Sequence, residues 1–191
     1  MTVKNIFISG VGGQGTILSG KVITRALIEH GFDVKMSEIH GMAQRGGSVV
    51  TQIRYGEKVY SPVIEKGKAD VLLAFEKLEA LRYIDFLSND GTLILNDLEI
   101  PPSTVLAGKE EYPENITEFV KNNIKNAIII DAVSKAKELG DVRVQNIILT
   151  GALAKVMSFN KEKFVKVIKE VVPEKYVEIN VKAFELGYKL V

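Results

Sequence analysis

A glycine-rich turn near the N-terminus constrains the fold more than any other feature of the sequence. The segment from Gly10 to Gly15 reads G-V-G-G-Q-G, follows an apolar run from Val3 to Ser9, and precedes a helical pattern from Thr16 to His30. A strand, a glycine turn and a helix in this order open a βαβ unit. Glycine permits the tight turn, and free amides at the start of a helix favour an anion such as a phosphate. The candidate anion-binding residues of this turn are Gly10, Gly12, Gly13, Gln14 and Gly15.

The rest of the chain continues with strands and helices and then becomes helical. Further strands are predicted at Asp33–Ser37, Ser48–Tyr55, Asp70–Phe75, Thr92–Leu95 and Ala127–Ile130, and helices at Lys77–Leu87, Ile116–Ile124, Ser134–Leu139, Val144–Met157, Lys161–Val171 and Lys175–Leu190. The strand from Ser48 is predicted to form a hairpin with Lys58–Tyr60, with cross-strand packing of Tyr55 and Tyr60. No linker marks a second domain. We therefore expect one α/β domain over residues 1–191, with three α/β/α layers, a mixed, mostly parallel sheet, a Rossmann-like start and a helical C-terminal tail.

Composition excludes several classes of function. The 25 Lys and Arg residues nearly balance the 24 Asp and Glu residues, so no basic field of the kind that binds nucleic acid is expected. The chain has no cysteine, which leaves no thiolate for a disulfide, a zinc site or an iron–sulfur cluster. The sequence starts without a leader pattern and has no apolar run long enough to span a membrane. We expect a cytoplasmic protein without a metal site.

A second unusual segment follows the second strand. His40 and Arg45 lie in a stretch with Gly46 and Gly47, and loops after strands are where open α/β sheets bind their ligands. Arg45 is a candidate for gripping a phosphate or carboxylate, and Gly46 and Gly47 would let a ligand or a partner backbone approach closely. A structural ion pair between Arg45 and Glu38 is an equally good explanation. A lone histidine is more often packed or solvated than catalytic, so we assign no catalytic residue.

Together the two segments resemble the gamma subunit, or gamma domain, of the 2-oxoacid:ferredoxin oxidoreductase family. The glycine turn is similar to that family's G-x-G-G-Q-G block, and Arg45-Gly46-Gly47 with Tyr60-Ser61-Pro62-Val63-Ile64 resembles its R-G-G strand and S-x-x-I pattern. Similarity continues through Asp131-Ala132 and Glu138-Leu139-Gly140 to the block from Asn146 to Ala152. Pyruvate and 2-oxoglutarate types carry Y-G-P-E-x-R-G-G where this chain has H-G-M-A-Q-R-G-G, a form similar to the indolepyruvate type. The difference favours aromatic 2-oxoacids.

The resemblance implies a complex that oxidatively decarboxylates a 2-oxoacid, forms an acyl-coenzyme A and reduces ferredoxin. It implies a large partner subunit that carries thiamine diphosphate and the iron–sulfur clusters, with no cofactor tightly bound to this chain. A narrower hypothesis is that the glycine turn and Arg45 hold the phosphates of coenzyme A at a shared site. For the isolated chain, a homodimer is an alternative assembly.

Two other classes of function stay open from the sequence. A free-standing nucleotide-binding oxidoreductase, using NAD or FAD, would need the glycine turn and an acidic residue after the second strand, and Glu38 lies near that place. A scaffold module without any ligand would keep the glycines only for close packing of the helix on the strand.

Overall fold

The computed structural model describes residues 2–40 and 46–191 of the chain. Among these residues the sheet strands are β1 (Lys4–Val11), β2 (Asp33–His40), β3 (Ser48–Gly56), β4 (Ala69–Ala74), β5 (Leu87–Asn96) and β6 (Ala127–Ile130). The α-helices are α1 (Thr16–Glu29), α2 (Lys77–Tyr83), α3 (Ser103–Leu106), α4 (Ile116–Asn123), α5 (Ala132–Leu139), α6 (Gln145–Val156), α7 (Lys161–Val171) and α8 (Glu174–Lys189). No helix in the described ranges is long and apolar enough to cross a bilayer.

The strands form one sheet in the order β2-β3-β1-β4-β5-β6. β1, β4, β5 and β6 pair in parallel with one another in this order, whereas β3 pairs antiparallel with both β1 and β2. The predicted mixed, mostly parallel sheet is confirmed. A βαβ crossover leaves β1 and β2 parallel to each other, but β3 lies between them.

The predicted hairpin between β3 and Lys58–Tyr60 is wrong. β3 pairs instead with all of β2, from Asp33 opposite Gly56 to His40 opposite Val49. The segment that follows β3 forms no strand and is held at the start of β2, where the amide of Val59 donates to Asp33 Oδ2 at 2.9 Å. Tyr60 is 88% exposed, so its predicted cross-strand packing is also wrong.

Apolar side chains alternate between the two faces of the sheet and build two cores. On one face Ile6 and Ile8 of β1 pack with α1, α5, α6, α7 and α8. On the other face Phe7 packs with α2 and α4. Alternation of this kind is expected for strands buried on both faces, and it confirms the three-layer α/β/α architecture. Tyr55, in the first core, packs against Phe32 and Phe159, with ring centroids 5.0 and 5.6 Å apart.

Two glycines let helices α6 and α8 cross with their backbones in contact. A Cβ atom built on Gly187 would overlap the carbonyl group of Ile148, lying 2.7 Å from its carbon. A Cβ atom on Gly151 would overlap the carbonyl oxygen of Phe184 and lie 2.8 Å from the amide nitrogen of Tyr188. The helical tail thus packs on α6, and α6 in turn contacts β4 and β5 of the sheet.

Candidate functional site

The two segments singled out in the sequence meet at one edge of the sheet. The glycine turn follows the carboxyl end of β1, and β3, which runs the opposite way, begins beside it, with Ser48 opposite Val11. The amide of Gly12 donates to the carbonyl oxygen of Gly47 at 2.8 Å, and the amide of Gly46 donates to that of Gly12 at 3.4 Å. Gly46 and Gly47 therefore lie against the turn, as the position of ligand-binding loops in open sheets predicts. Arg45 lies outside the described residues.

Only part of the glycine turn is free to meet an anion. The amide of Gly12 is used by Gly47, and that of Gln14 donates to the carbonyl oxygen of Val11 at 3.1 Å. Among the described residues, no acceptor takes the amides of Gly13, Gly15 or the first residues of α1. These amides lie at the start of α1, a 14-residue helix that has no side-chain cap. They are the groups with which the turn could bind an anion.

The side chain of Gln14 serves the fold of the turn. It is buried, its Oε1 accepts from the amide of Val11 at 2.7 Å, and its Nε2 donates to the carbonyl oxygen of Phe75 at 2.9 Å. Gly10 is required by close packing, because a Cβ atom there would lie 2.8 Å from Cγ2 of Thr16. Gln14 thus connects the turn to the end of β4, and the backbone of the turn stays available to a ligand.

Asn146, at the start of α6, completes the turn from the distant end of the chain. Its Nδ2 donates to the carbonyl oxygen of Gly15 at 3.2 Å, and its Oδ1 accepts from the amide of Ile147. Gly15 has a φ of 80°, and a Cβ atom there would lie 2.5 Å from Nδ2 of Asn146. The sequence left Asn146 unassigned, because its 131-residue separation from the turn is visible only after folding.

A cleft of about 460 Å³ lies in front of the turn. Its walls are the backbone of the turn, the first residues of α1, the end of β2 and the start of β3. The lining residues are Gly12, Gly13, Gly15, Thr16, Ile17, His40 and Val49. Gly13 has a φ of 102° and faces open space, so the turn presents its backbone to the cleft. An anion with an apolar neighbour would suit this combination of amides and aliphatic side chains.

A buried carboxylate beside the start of β3 escaped the sequence analysis. Glu79 of α2 is only 5% exposed, its Oε2 accepts a hydrogen bond of 2.5 Å from the hydroxyl of Ser48, and its Oε1 lies 3.3 Å from Nε of Arg82. The hydroxyl groups of Ser48 and Tyr83 are 3.2 Å apart. Burial raises the pKa of Glu79 above its ordinary value of 4.5, although the Ser48 hydrogen bond and Arg82 oppose this.

This raised pKa predicts a measurable dependence of stability on pH. A carboxyl whose pKa is higher in the folded than in the unfolded state binds protons preferentially in the folded state. Its stabilising contribution is therefore full below pH 4.5, the ordinary pKa, and declines as pH rises through the folded pKa. We expect Glu79→Gln to remove this decline. Urea unfolding at a series of pH values from 4 to 7 measures it, and parallel curves for both proteins would contradict the prediction.

Further along the same edge, Glu76 links β4 to the segment that follows β5. Its Oε2 accepts from the amide of Glu79 at 2.9 Å, and its Oε1 accepts from the amide of Ile100 at 3.0 Å and from the hydroxyl of Tyr112. Glu76 is fully buried and forms the N-cap of α2. These contacts give it a structural role. Across residues 2–40 and 46–191, no three carboxylate or imidazole side chains are placed to hold a metal ion.

The position of β2 argues against a dinucleotide site. In that site the acidic residue ends the strand beside β1, but here β3 occupies this place and separates β2 from β1 by about 10 Å. β2 also continues two residues beyond Glu38, whose Oε1 lies beside Gly20 in the second turn of α1. Glu38 is therefore set back from the glycine turn.

Comparison with known proteins places the chain in a family. Residues 5–190 match the family model described as "Pyruvate ferredoxin/flavodoxin oxidoreductase". The chain is 40% identical over 194 residues to "Indolepyruvate oxidoreductase subunit IorB" of Thermococcus kodakarensis and 41% identical over 194 residues to the protein of that name from Pyrococcus horikoshii. Both alignments cover 99% of this chain and 96% of the relative.

A solved structure agrees with the sequence relatives. The keto/oxoacid ferredoxin oxidoreductase gamma subunit from Geobacter sulfurreducens superposes with a TM-score of 0.73 at 25% identity, covering 98% of this chain and 97% of that one. The resemblance seen in the sequence and the interpretation of the chain as an oxidoreductase subunit are confirmed, and the relatives support them over a free-standing nucleotide-binding enzyme. This chain therefore belongs to the pyruvate ferredoxin/flavodoxin oxidoreductase family.

Proposed function

We propose that this chain is the small subunit of a complex that oxidises an aromatic 2-oxoacid, such as indolepyruvate, to its acyl-coenzyme A and passes the electrons to ferredoxin. The observation that carries the proposal is the 40–41% identity to two indolepyruvate oxidoreductase subunits along almost the whole chain. The H-G-M-A-Q-R-G-G segment from His40 to Gly47, which is similar to the indolepyruvate type, also favours an aromatic substrate.

In this proposal thiamine diphosphate and the iron–sulfur clusters belong to a large partner subunit. The chain has no cysteine to ligate a cluster, and the described part of it contains no group of carboxylates and imidazoles for a metal. Its contribution is a surface that completes the partner's site. Thiamine diphosphate would supply the decarboxylation chemistry when bound to that partner.

The surface proposed to meet the partner surrounds the cleft at the glycine turn. Ile17, which lines the cleft, is 50% exposed. Large exposed aliphatic side chains next to free backbone amides are typical of a site that another chain covers. An obligate interface of this kind buries about 2,000 Å² or more.

Association with the large subunit is the first test. Co-expression with the large subunit, recognised by its thiamine-diphosphate motif and cysteine-rich cluster motifs, should give a stable complex. That complex should reduce ferredoxin when an arylpyruvate is supplied as substrate. Saturable binding of NAD, NADP or FAD by the isolated chain, together with failure to associate, would favour the free-standing oxidoreductase. A chain that neither associates nor binds a nucleotide would favour the scaffold module.

Coenzyme A is the ligand proposed for the cleft. Gly46 lies against Gly12, and Arg45 directly precedes Gly46 in the sequence. The guanidinium of Arg45 and the amides of Gly13 and Gly15 would together hold a phosphate.

Arg45→Ala in the assembled enzyme is expected to raise the KM for coenzyme A about tenfold, because one charge-assisted contact to a phosphate is lost. Steady-state rates at varied coenzyme A and saturating 2-oxoacid measure the effect. Arg54→Ala is the control, because Arg54 is bound to Asn5 and to the carbonyl oxygens of Ser61 and Val63, away from the cleft. An unchanged KM in Arg45→Ala would remove coenzyme A from this site.

A further inference from the structure

The start of β3 is held between two anchors at the rim of the cleft. On one side Gly46 and Gly47 exchange backbone hydrogen bonds with Gly12 of the glycine turn, at 3.4 and 2.8 Å. On the other side the hydroxyl of Ser48 donates to the carboxylate of Glu79. The anchor at Glu79 is itself fixed, because its carbonyl oxygen accepts from the hydroxyl of Ser9 in β1 at 3.3 Å.

Burying the carboxylate of Glu79 lowers the stability of the fold. A carboxylate that is 5% exposed loses most of its hydration, and the direction of its pKa shift reflects that cost. Among the described residues, the charged and titratable groups around it are Arg82, Tyr83 and a second buried carboxylate, Glu76. An apolar side chain of similar volume would pack there without that cost. Within residues 2–40 and 46–191, Glu79 contacts the rim of the cleft through its hydrogen bond to Ser48.

We propose that Glu79 is a positioning residue for the coenzyme A site. By accepting from Ser48 it fixes the Gly46-Gly47-Ser48 backbone, which in turn occupies the amide of Gly12 and keeps those of Gly13 and Gly15 turned toward the cleft. This inference rests on the proposed function and adds a residue of α2 that acts through Ser48. Its consequence is a role in the affinity for coenzyme A and not in turnover.

The test uses the intact complex with its large subunit. Glu79→Leu removes the acceptor and is expected to raise the KM for coenzyme A about tenfold, with kcat within about twofold of wild type. Glu79→Gln keeps an oxygen that can accept from Ser48 and should restore a KM close to wild type. Ser48→Ala removes the other partner of the same hydrogen bond and should match Glu79→Leu, while the double variant should be no worse than either single change.

Glu99→Gln is the matched control, because Glu99 is a half-exposed glutamate near the same edge whose carboxylate pairs with Lys77. A wild-type KM in Glu79→Leu, a Glu79→Gln complex as impaired as Glu79→Leu, or additive effects in the double variant would each overturn the proposal. If Glu79→Leu does not fold, Ser48→Ala and Glu79→Gln decide by the same criteria.

The wild-type complex shows by itself whether the proposed function is wrong. If the wild-type complex shows no saturable dependence on coenzyme A, the ligand is wrong. Hydrogen exchange at the amides of Gly12 and Gly46 in the same complex then tests Glu79 by itself. Faster exchange in Glu79→Leu and Ser48→Ala but not in Glu79→Gln would support positioning, and unchanged exchange in all three would overturn it.

Discussion

Gly187→Ala is expected to lower the free energy of unfolding by about 3 kcal/mol or more. The new Cβ atom would overlap the carbonyl group of Ile148 in α6, which is backbone and cannot rotate away. Helices α6 and α8 would have to separate, and α6 carries nine buried residues that pack on the sheet and on its neighbours. Overpacking against backbone costs more than overpacking against a side chain because the whole helix must move.

Gly20→Ala is the control for this prediction, because Gly20 is also a buried helical glycine. A Cβ atom there would lie 3.1 Å from the Cγ2 methyl group of Thr51, a contact that a small shift relieves. The higher helix propensity of alanine, about 1 kcal/mol, should offset that cost. Thermal or urea unfolding of both variants measures the difference, and equal stabilities would show that α6 and α8 do not cross as described.

Glu76→Ala is expected to cost about 3 kcal/mol of unfolding free energy. The change leaves three donors without their acceptor, namely the amides of Glu79 and Ile100 and the hydroxyl of Tyr112. Each buried donor that loses its partner costs about 1 kcal/mol or more, and α2 also loses its N-cap. The segment between β5 and α4 should exchange its amide hydrogens faster, because Ile100 and Tyr112 are its attachments to Glu76.

Glu99→Ala serves as the comparison for Glu76→Ala. The carboxylate of Glu99 is 56% exposed and pairs with Lys77 at 3.1 Å, so its removal should change stability by about 0.5 kcal/mol or less. Urea unfolding followed by far-UV circular dichroism measures both variants, and hydrogen exchange localises the effect. A Glu76→Ala protein as stable as Glu99→Ala would mean that water replaces the lost acceptor without cost.

Much of the architecture could be predicted from the chain because it depends on local pattern. β6 and α7 occur at their predicted limits, and most other predicted elements differ only by a few residues at their ends. Asp131 caps α5 by accepting from the amide of Ser134, as the frequency of aspartate at helix starts suggests. The hairpin prediction failed because Lys58–Tyr60 and β2 competed to pair with β3, and only long-range contacts decide between them.

In the candidate site, too, the sequence predicts some features and long-range contacts decide the others. The sequence by itself determined the glycine turn and the family, since these depend on residue types along the chain, and it predicted from the place of Gly46 and Gly47 after a strand that they lie near the turn. Tertiary structure alone decided three contacts: the buried side chain of Gln14 bonds to Phe75, Asn146 bonds to Gly15 from 131 residues away, and Glu79 accepts from Ser48 at the start of β3. The physical reason is that hydrogen bonds to buried groups depend on which strands and helices become neighbours. The βαβ pattern does not predict that β3 lies between β1 and β2.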